Sequence, residues 1–305
     1  MTSDLDEHDS EEHVRRFTEL RPLLFTVAYE ILGSATDADD VLQESYLRWA
    51  VVDLGSVDDT KGYLAKVVTR QALNALRASS RRREQYVGPW LPEPILLDER
   101  DAAEDVVLAE SVSTAMLVVL ETLSPDERVV FVLREVFGFG HDEIAEMVGK
   151  SDAAVRQAAH RARAHVQARR RRFEPVDAAR TAEIADAFMM AAESGEIETL
   201  MAMLSPDVVF TADSDGKASA VRRPIRGALA VARLLAGFAS VGPTLEEFRV
   251  EPAIFNSLPG MRLFFGGELQ GVFVLDVVDG LVADIYATRN PDKLLGVGEP
   301  RRISR

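Results

Sequence analysis

The spacing of apolar residues predicts three helices in the first part of the chain. From residue 13 to residue 32, apolar side chains recur every three or four positions, the repeat of a helix with one buried face. Gly33 ends that helix, and the repeat returns in residues 37–50 and 60–83. Residues 1–12 are acidic and almost free of apolar side chains, which indicates a disordered tail. The pattern therefore predicts a helical domain over residues 13–84 behind a disordered acidic segment.

Residues 85–102 lack helical periodicity and are predicted to form an extended linker. Pro89, Pro92 and Pro94 each remove a backbone donor and restrict the residue before them. Trp90 and Leu91 are too apolar for a solvated connection, so the linker is expected to dock on another domain.

Helical periodicity resumes over residues 103–123, and Ser124 followed by Pro125 marks the start of the next helix. Beyond Gly138, a short helix, a turn at Gly149 and a longer alanine-rich helix capped by Ser151 make a helix-turn-helix pattern. Two helices that pack together without nucleic acid would show a similar pattern. The prediction for residues 103–173 is a second helical domain.

The last part of the chain, residues 174–305, changes to a mixed pattern. One amphipathic helix is predicted over 181–203 and another over 226–240, with a first strand in the segment PDVVFTAD. Asp279-Gly280 is a two-residue hairpin signal between the last two strands. Helices on one side of a curved antiparallel sheet, an α+β domain, fit this order. The remaining strands are predicted at 245–255, 260–266, 269–278 and 281–289.

Composition narrows the class of protein. The 305 residues include no cysteine, which excludes disulfides and thiolate metal sites. No apolar run approaches the roughly 18 residues that cross a bilayer, and the acidic start is unlike a secretory signal. We therefore expect a cytoplasmic protein with no membrane partner, no metal and no cofactor.

Charge is unevenly distributed along the chain. The formal net charge is −15, which would repel a nucleic acid, yet two segments are strongly basic. Taken alone, either segment could be a solvated helix face. The first basic segment contains Lys61, Lys66, Arg70, Arg77 and Arg81 to Arg83, and the second basic segment contains Arg156, Arg161, Arg163 and the arginines at 169–172.

Three segments, taken in order, resemble extracytoplasmic-function (ECF) RNA polymerase sigma factors. They are LRPLLFTVAYEILGSATDADDVLQESYLRWA, GYLAKVVTRQALNALRASSRRRE and LSPDERVVFVLREVFGFGHDEIAEMVGKSDAAVRQAAHRARAHV. The motifs WLPEP (residues 90–94), PIRG (224–227) and NPDKL (290–294) resemble one subgroup, the SigJ-type factors, in which a SnoaL-like domain of the NTF2-like fold follows. The subgroup's Asp-Gly-Gly-Gly-Arg/Lys motif is here Asp213-Ser214-Asp215-Gly216-Lys217, which puts the role of that loop in doubt.

The resemblance implies two helical sigma domains, regions 2 and 4, followed by an α+β cone domain, with core RNA polymerase and promoter DNA as partners. It implies roles for four groups of residues. The core-polymerase-binding group is Asp37, Asp39, Asp40, Gln43, Glu44 and Leu47; the minus-ten group is Lys61, Lys66, Arg70, Asn74 and Arg77; the minus-thirty-five group is Arg156, Gln157, His160, Arg161 and Arg163; and the regulatory interdomain group is Trp90, Leu91, Pro92, Glu93 and Pro94 with Asn290, Pro291, Asp292, Lys293 and Leu294.

Simpler roles remain open for some of these residues. Asp37 and Asp39 could merely complement the dipole of their helix, and His160 could be a capping or packing residue. NPDKL is predicted to contact the WLPEP linker, so that a bound ligand or partner would change how the two promoter-binding domains are arranged.

For the C-terminal domain, two functions compete. NTF2-like folds include small isomerases and cyclases, which need an acid or base in an apolar cavity. All five histidines lie outside this domain, so we expect no catalytic residue and favour regulation, by internal contact or by a small-molecule ligand. A repressor-type helix-turn-helix protein is a third interpretation. The polar strand residues that an enzyme could use are Asp213, Glu268, Asp276, Asp284 and Tyr286.

Overall fold

The computed structural model describes residues 2–83, 85–97, 105–169 and 178–305. The helices are α1 Thr2–Leu32, α2 Ala35–Trp49, α3 Thr60–Arg83, α4 Val106–Ser111, α5 Thr114–Leu120, α6 Pro125–Phe131, α7 His141–Val148, α8 Asp152–Arg169, α9 Ala178–Ser194, α10 Ile197–Met203, α11 Ala228–Val241 and α12 Pro291–Leu294. The strands are β1 Leu204–Asp213, β2 Ile225–Arg226, β3 Arg249–Phe255, β4 Leu258–Phe265, β5 Glu268–Val278 and β6 Leu281–Thr288. The predicted domain boundary near residue 173 and the arginines at 170–172 lie outside the described residues.

Helices α1 to α3 form the first helical unit, and its core is apolar. Trp49 is fully buried at the end of α2, and its indole N–H donates to the backbone oxygen of His13 at 3.0 Å. Ser34 caps α2 by accepting a hydrogen bond from the backbone N–H of Asp37.

The prediction of a disordered segment at residues 1–12 is wrong, because α1 begins at Thr2. Glu12 forms ion pairs with Arg15 and Arg16, one turn further along α1. Pairs at this spacing support a helix whose exposed face carries few apolar residues, and hydrophobic periodicity cannot detect them.

Helices α4 to α8 form the second helical unit. The single helix predicted over residues 103–123 is two helices, because Ser113 leaves helical geometry and caps α5 by accepting from the backbone N–H of Met116. The helix-turn-helix is present: α7 ends at Gly149, whose φ of +68° is the left-handed conformation of a helix C-cap, and α8 follows.

The third unit, the sheet domain, has one mixed sheet with strand order β2-β1-β6-β5-β4-β3. Strands β1 and β6 are parallel and the other neighbours are antiparallel. Asp279 and Gly280 both have positive φ, as the predicted two-residue hairpin requires. The predicted helix over residues 181–203 is broken at Gly195, whose positive φ ends α9 before α10 starts.

Both faces of the sheet are covered. On the inner face, side chains including Phe188, Phe210 and Phe273 fill the cone under α9 to α11. On the outer face, Phe255 and Tyr286 belong to an apolar cluster with Leu91 of the linker. The outer-face cluster therefore joins the sheet domain to the linker, while the inner-face core belongs to the sheet domain alone.

Candidate promoter, polymerase and linker surfaces

The predicted minus-ten helix, α3, packs against the second helical unit. The guanidinium of Arg70 donates to two backbone oxygens at the end of α7, of Glu146 at 2.8 Å and of Met147 at 3.0 Å. Lys66 forms an ion pair with Glu146 at 3.3 Å, while Lys61 and Asn74 are exposed. Arg77 pairs with Asp126 on α6 at 2.8 Å. The second helical unit therefore holds three cations of the predicted minus-ten group.

Asp126 receives a second cation, because Lys150 lies 2.6 Å from its other carboxylate oxygen. Partial burial raises the pKa of Asp126, but the hydrogen bonds from Lys150 and Arg77 outweigh burial and leave the pKa below its usual value. The carboxylate therefore stays ionised at neutral pH and holds α3 against α6.

The predicted minus-thirty-five residues are exposed on α8, opposite its buried alanine and valine face. Their cations have partners inside the second unit: Arg161 with Glu127 at 2.7 Å and Arg163 with Glu135 at 2.5 Å. His160 is exposed beside Gln157, which does not support a packing role for this histidine. Arg156 pairs with Asp152 within α8.

The predicted polymerase-binding face of α2 remains accessible. Asp40, Gln43 and Glu44 are exposed, and the side chain of Leu47 has 63% of its surface exposed. Asp39 differs, because it forms ion pairs with Arg21 at 3.1 Å and with Arg301 of the C-terminal tail at 2.7 Å. Asp37 is partly buried in the first turn of α2, where its carboxylate also interacts favourably with the helix dipole.

The sheet domain holds the linker through a buried cluster around Asp213, at the end of β1. Asp213 is 0% exposed and accepts a hydrogen bond from the backbone N–H of Leu91 at 2.7 Å and one from the hydroxyl of Tyr86. Lys293 is 7% exposed, and its Nζ lies 2.7 Å from the carboxylate of Asp213. Burial and the hydrogen bond to Asp213 raise the pKa of Tyr86 above its ordinary value.

The contact predicted between NPDKL and WLPEP is confirmed. Lys293 Nζ donates to the backbone oxygen of Leu91 and lies 3.9 Å from the ring centroid of Trp90. Asn290 donates to the hydroxyl of Tyr86 at 2.7 Å. The regulatory role of this contact stays a prediction.

The altered motif at residues 213–217 forms a turn that contacts the linker. Asp215 and Gly216 both have positive φ, and the Asp215 carboxylate accepts from the backbone N–H of Val87 at 3.1 Å. Aspartate tolerates the left-handed region better than most residues, so the missing glycines do not prevent the loop from reaching the linker.

Glu93, in the middle of WLPEP, attaches the linker to the first helical unit. Its carboxylate accepts from the hydroxyl of Ser34 at 2.8 Å and from the backbone N–H of Thr36 at 2.9 Å, at the start of α2. Its backbone oxygen accepts from the hydroxyl of Tyr29 at 2.7 Å. WLPEP therefore bridges the first helical unit and the sheet domain.

Asn256, in the β3–β4 turn, contacts all the other parts of the molecule, and sequence reasoning missed it. It has φ of +53°, and its side-chain N–H groups donate to the hydroxyl of Tyr29 at 2.6 Å and to the backbone oxygen of Val112 at 2.9 Å. Its side-chain oxygen accepts from the backbone N–H of Ile95 at 3.1 Å. The signal in the sequence was Asn256-Ser257 between two apolar runs, a turn that asparagine favours.

A buried charge network joins the two helical units. Arg128 of α6 is 1% exposed, pairs with Glu121 and donates to the backbone oxygen of Glu30 in α1 at 3.0 Å. Glu30 accepts from the hydroxyl of Ser111 at 2.7 Å, and burial raises the pKa of Glu30 to about 8. One guanidinium thus donates to the carboxylate of Glu121 and to a backbone oxygen of α1.

We expect this network to make the contact between the helical units weaken as pH rises. Separation of the two helical units would return the pKa of Glu30 to about 4.5 in water, so their contact loses stability as pH rises from about 4.5 to about 8. Burial lowers the pKa of Arg128 to about 9, so it remains a cation across this window. Energy transfer between dyes on introduced cysteines, Arg48→Cys and Gln167→Cys, would measure the separation of the units. Glu30→Gln should remove the pH dependence, and an unchanged pH profile in that variant would contradict this assignment.

The polar strand residues proposed for an enzyme do not form one site. Asp276 and Asp284 are register partners on β5 and β6, whereas Glu268 is exposed at the start of β5. Tyr286 belongs to the apolar cluster on the outer face, and Asp213 is occupied by the linker.

Comparison with known proteins agrees with this arrangement. The family model for Sigma-70 region 2 matches residues 16–82, in the first helical unit, and the model for Sigma-70 region 4 matches residues 113–166, in the second. Together these two regions define an RNA polymerase sigma factor.

The chain is 38% identical over 294 residues to the ECF RNA polymerase sigma factor SigJ of Mycobacterium tuberculosis, covering 93% of both chains. It is 30% identical over 282 residues to a probable ECF RNA polymerase sigma factor, SigI, of the same species, covering 90% of this chain and 92% of that one. The crystal structure of M. tuberculosis SigJ superposes with a TM-score of 0.74 at 33% identity, covering 93% of this chain and 99% of that chain. This protein therefore belongs to the ECF RNA polymerase sigma factors.

These findings confirm the resemblance, the helical sigma regions and the NTF2-like fold of the sheet domain. They do not favour the alternative of an isomerase or cyclase fused to a DNA-binding module. In the parts of the chain that the structure describes, no helix is long and apolar enough to cross a membrane.

Proposed function

We propose that this sigma factor directs core RNA polymerase to promoters from an open form, and that its own sheet domain holds it in the closed form described above. The observation that carries the proposal is the pairing of Arg70 with the backbone oxygens of Glu146 and Met147. A guanidinium held by α7 is not available to a melted DNA strand, so α3 must leave α7 before it can bind the minus-ten element.

The closed form leaves the polymerase side accessible. Because Gln43, Glu44 and Leu47 of α2 are exposed, we propose that core polymerase binds this face first and that the two helical units separate on the polymerase. The site of action is the cytoplasm, where the polymerase works.

The sheet domain supplies the restraint through two junctions. Asp213 and Lys293 hold the linker, and Asn256 contacts both helical units and the linker. A molecule that loosened either junction would shift the population toward the open form.

A cavity of about 200 Å³ lies where such a molecule could act. Linker residues 87–89 form one side of it, and loop residues between Ala212 and Arg222 form the other. A small-molecule ligand bound here would contact both sides of the first junction, and we propose this cavity, rather than the filled interior of the cone, as its site.

Run-off transcription with bacterial core polymerase on a pool of promoter fragments tests the function. The full chain should give core-dependent transcripts that the core alone does not give. The double variant Arg156→Gln/Gln157→Ala should reduce them by about 30-fold or more, because two base contacts of roughly 1 to 3 kcal/mol each are lost. Gln167→Ala is the matched control, since Gln167 is exposed further along α8. Absence of core-dependent transcripts from the wild-type chain, with an active core, would reject the proposal.

A further inference from the structure

A basic patch on the sheet domain has no role in the function proposed so far. Between Asp215 and Glu246 the sequence has no acidic residue, although the whole chain carries a net charge of −15. The same stretch contains one lysine and four arginines. We call these arginines the patch: Arg222, Arg223, Arg226 and Arg233.

The patch lies at one edge of the domain. Arg222 and Arg223 precede β2, which is the edge strand of the sheet, Arg226 belongs to β2, and Arg233 lies in the second turn of α11. The backbone oxygen of Arg222 is 3.7 Å from the position that a Cβ would occupy at Gly88 of the linker. The patch therefore adjoins the linker between the two promoter-binding units.

The four side chains are exposed, and no carboxylate in the described part of the chain forms an ion pair with them. The predicted promoter contacts differ in this respect. Arg70 and Arg77 of α3 are held by the second helical unit, and Arg163 of α8 is held by Glu135. In the closed form, the patch presents free guanidinium groups while these promoter-binding cations are occupied.

Arginines grouped in this way repel one another and match the chemistry of phosphate. A guanidinium offers a planar pair of N–H donors that fits two phosphate oxygens, and it stays charged at every physiological pH. Duplex DNA has a high linear density of phosphates, and binding releases the counterions condensed on them. The sigma factor family makes DNA the polyanion that this protein meets.

We propose that the patch binds the phosphate backbone of duplex DNA without reading its sequence, and that it makes the first DNA contact of the closed form. The timing rests on the proposed function, because it requires the promoter-binding cations to be held until the units separate. The buried Asp213–Lys293 pair fixes the domain to the linker, so DNA bound at the patch lies beside the units that read the promoter later.

The test uses the full chain without polymerase and a fluorescent duplex of non-promoter sequence. Anisotropy titrations between about 50 and 200 mM salt give the slope of log K against log salt. This slope is negative, and its magnitude decreases by about 0.9 for each phosphate contact that is lost. The patch variant R222Q/R223Q/R226Q/R233Q should decrease the magnitude of the slope by about two to four and weaken binding by about tenfold or more. The control R15Q/R48Q/R249Q/R302Q removes the same charge from exposed positions elsewhere and should keep the wild-type slope.

Two results would overturn the proposal: an unchanged slope in the patch variant, or an equal loss in the control, which would show a dependence on net charge alone. A patch variant that binds DNA normally but binds core polymerase weakly would assign the patch to the polymerase instead. Core-dependent transcription at low salt separates this question from the proposed function. The patch variant, with its promoter-reading residues intact, should still give promoter-specific transcripts, whereas a wild-type chain that gives none would reject the sigma role whatever the slopes show.

Discussion

Replacing Asp213 with asparagine is expected to lower the free energy of unfolding by about 3 to 5 kcal/mol, the usual cost of removing one partner from a buried ion pair. The substitution keeps the shape of the side chain but leaves the buried ammonium of Lys293 without a compensating charge. Urea denaturation measures the change. Asp215→Asn is the matched control in the same loop, where the partner Lys217 is exposed, and it should cost under about 1 kcal/mol.

The same variant should release the linker. Because Lys293 Nζ lies 3.9 Å from the Trp90 ring centroid, loss of the pair should change the Trp90 emission in a Trp49→Phe background, which removes the only other tryptophan of the sequence. We also expect the released chain to bind promoter DNA more readily in the holoenzyme. Wild-type stability and emission in Asp213→Asn would mean that the cluster does not restrain the linker.

Cross-linking the two helical units is expected to abolish transcription. The chain has no cysteine, so Lys66→Cys with Glu146→Cys places the only two thiols on α3 and α7, at positions whose native side chains pair at 3.3 Å. A bismaleimide across this pair would prevent α3 from leaving α7. Core-dependent run-off transcription should fall at least about tenfold, the effect of some 1.4 kcal/mol on a binding equilibrium.

The control for that experiment is each single-cysteine variant treated with the same reagent, which carries the modification without the bridge. A cross-linked chain that transcribes like these controls would show that the helical units need not separate, and the closed form would then not be inhibitory.

Much of the fold was predictable because its elements bury one face. The three-and-four repeat identified α3, and the proline-rich linker was extended as expected. Boundaries failed where single residues decided them: the Ser113 hydroxyl splits one predicted helix by capping α5, and the positive φ of Gly195 separates α9 from α10.

The candidate surfaces were less predictable. Exposed positions on α2 and α8 follow from helical periodicity alone. The pairing of Arg70 with α7 does not, because its acceptors are backbone oxygens 76 and 77 residues away, which side-chain patterns do not specify. Asn256 presents the same difficulty, since its partners lie in both helical units and in the linker.

The residues that hold the linker and the helical units follow those units in the chain, so the contacts they make form late in synthesis. Ile303 packs in the core of the helical units, and Lys293 completes the linker cluster, so both contacts form only after both helical units have been synthesised. At about 5 to 20 residues per second, Lys293 follows the end of α8 at Arg169 by roughly 6 to 25 seconds. Under the proposed function, each new molecule is therefore unrestrained until residue 293 has been synthesised, which makes inhibition a late step of its own synthesis.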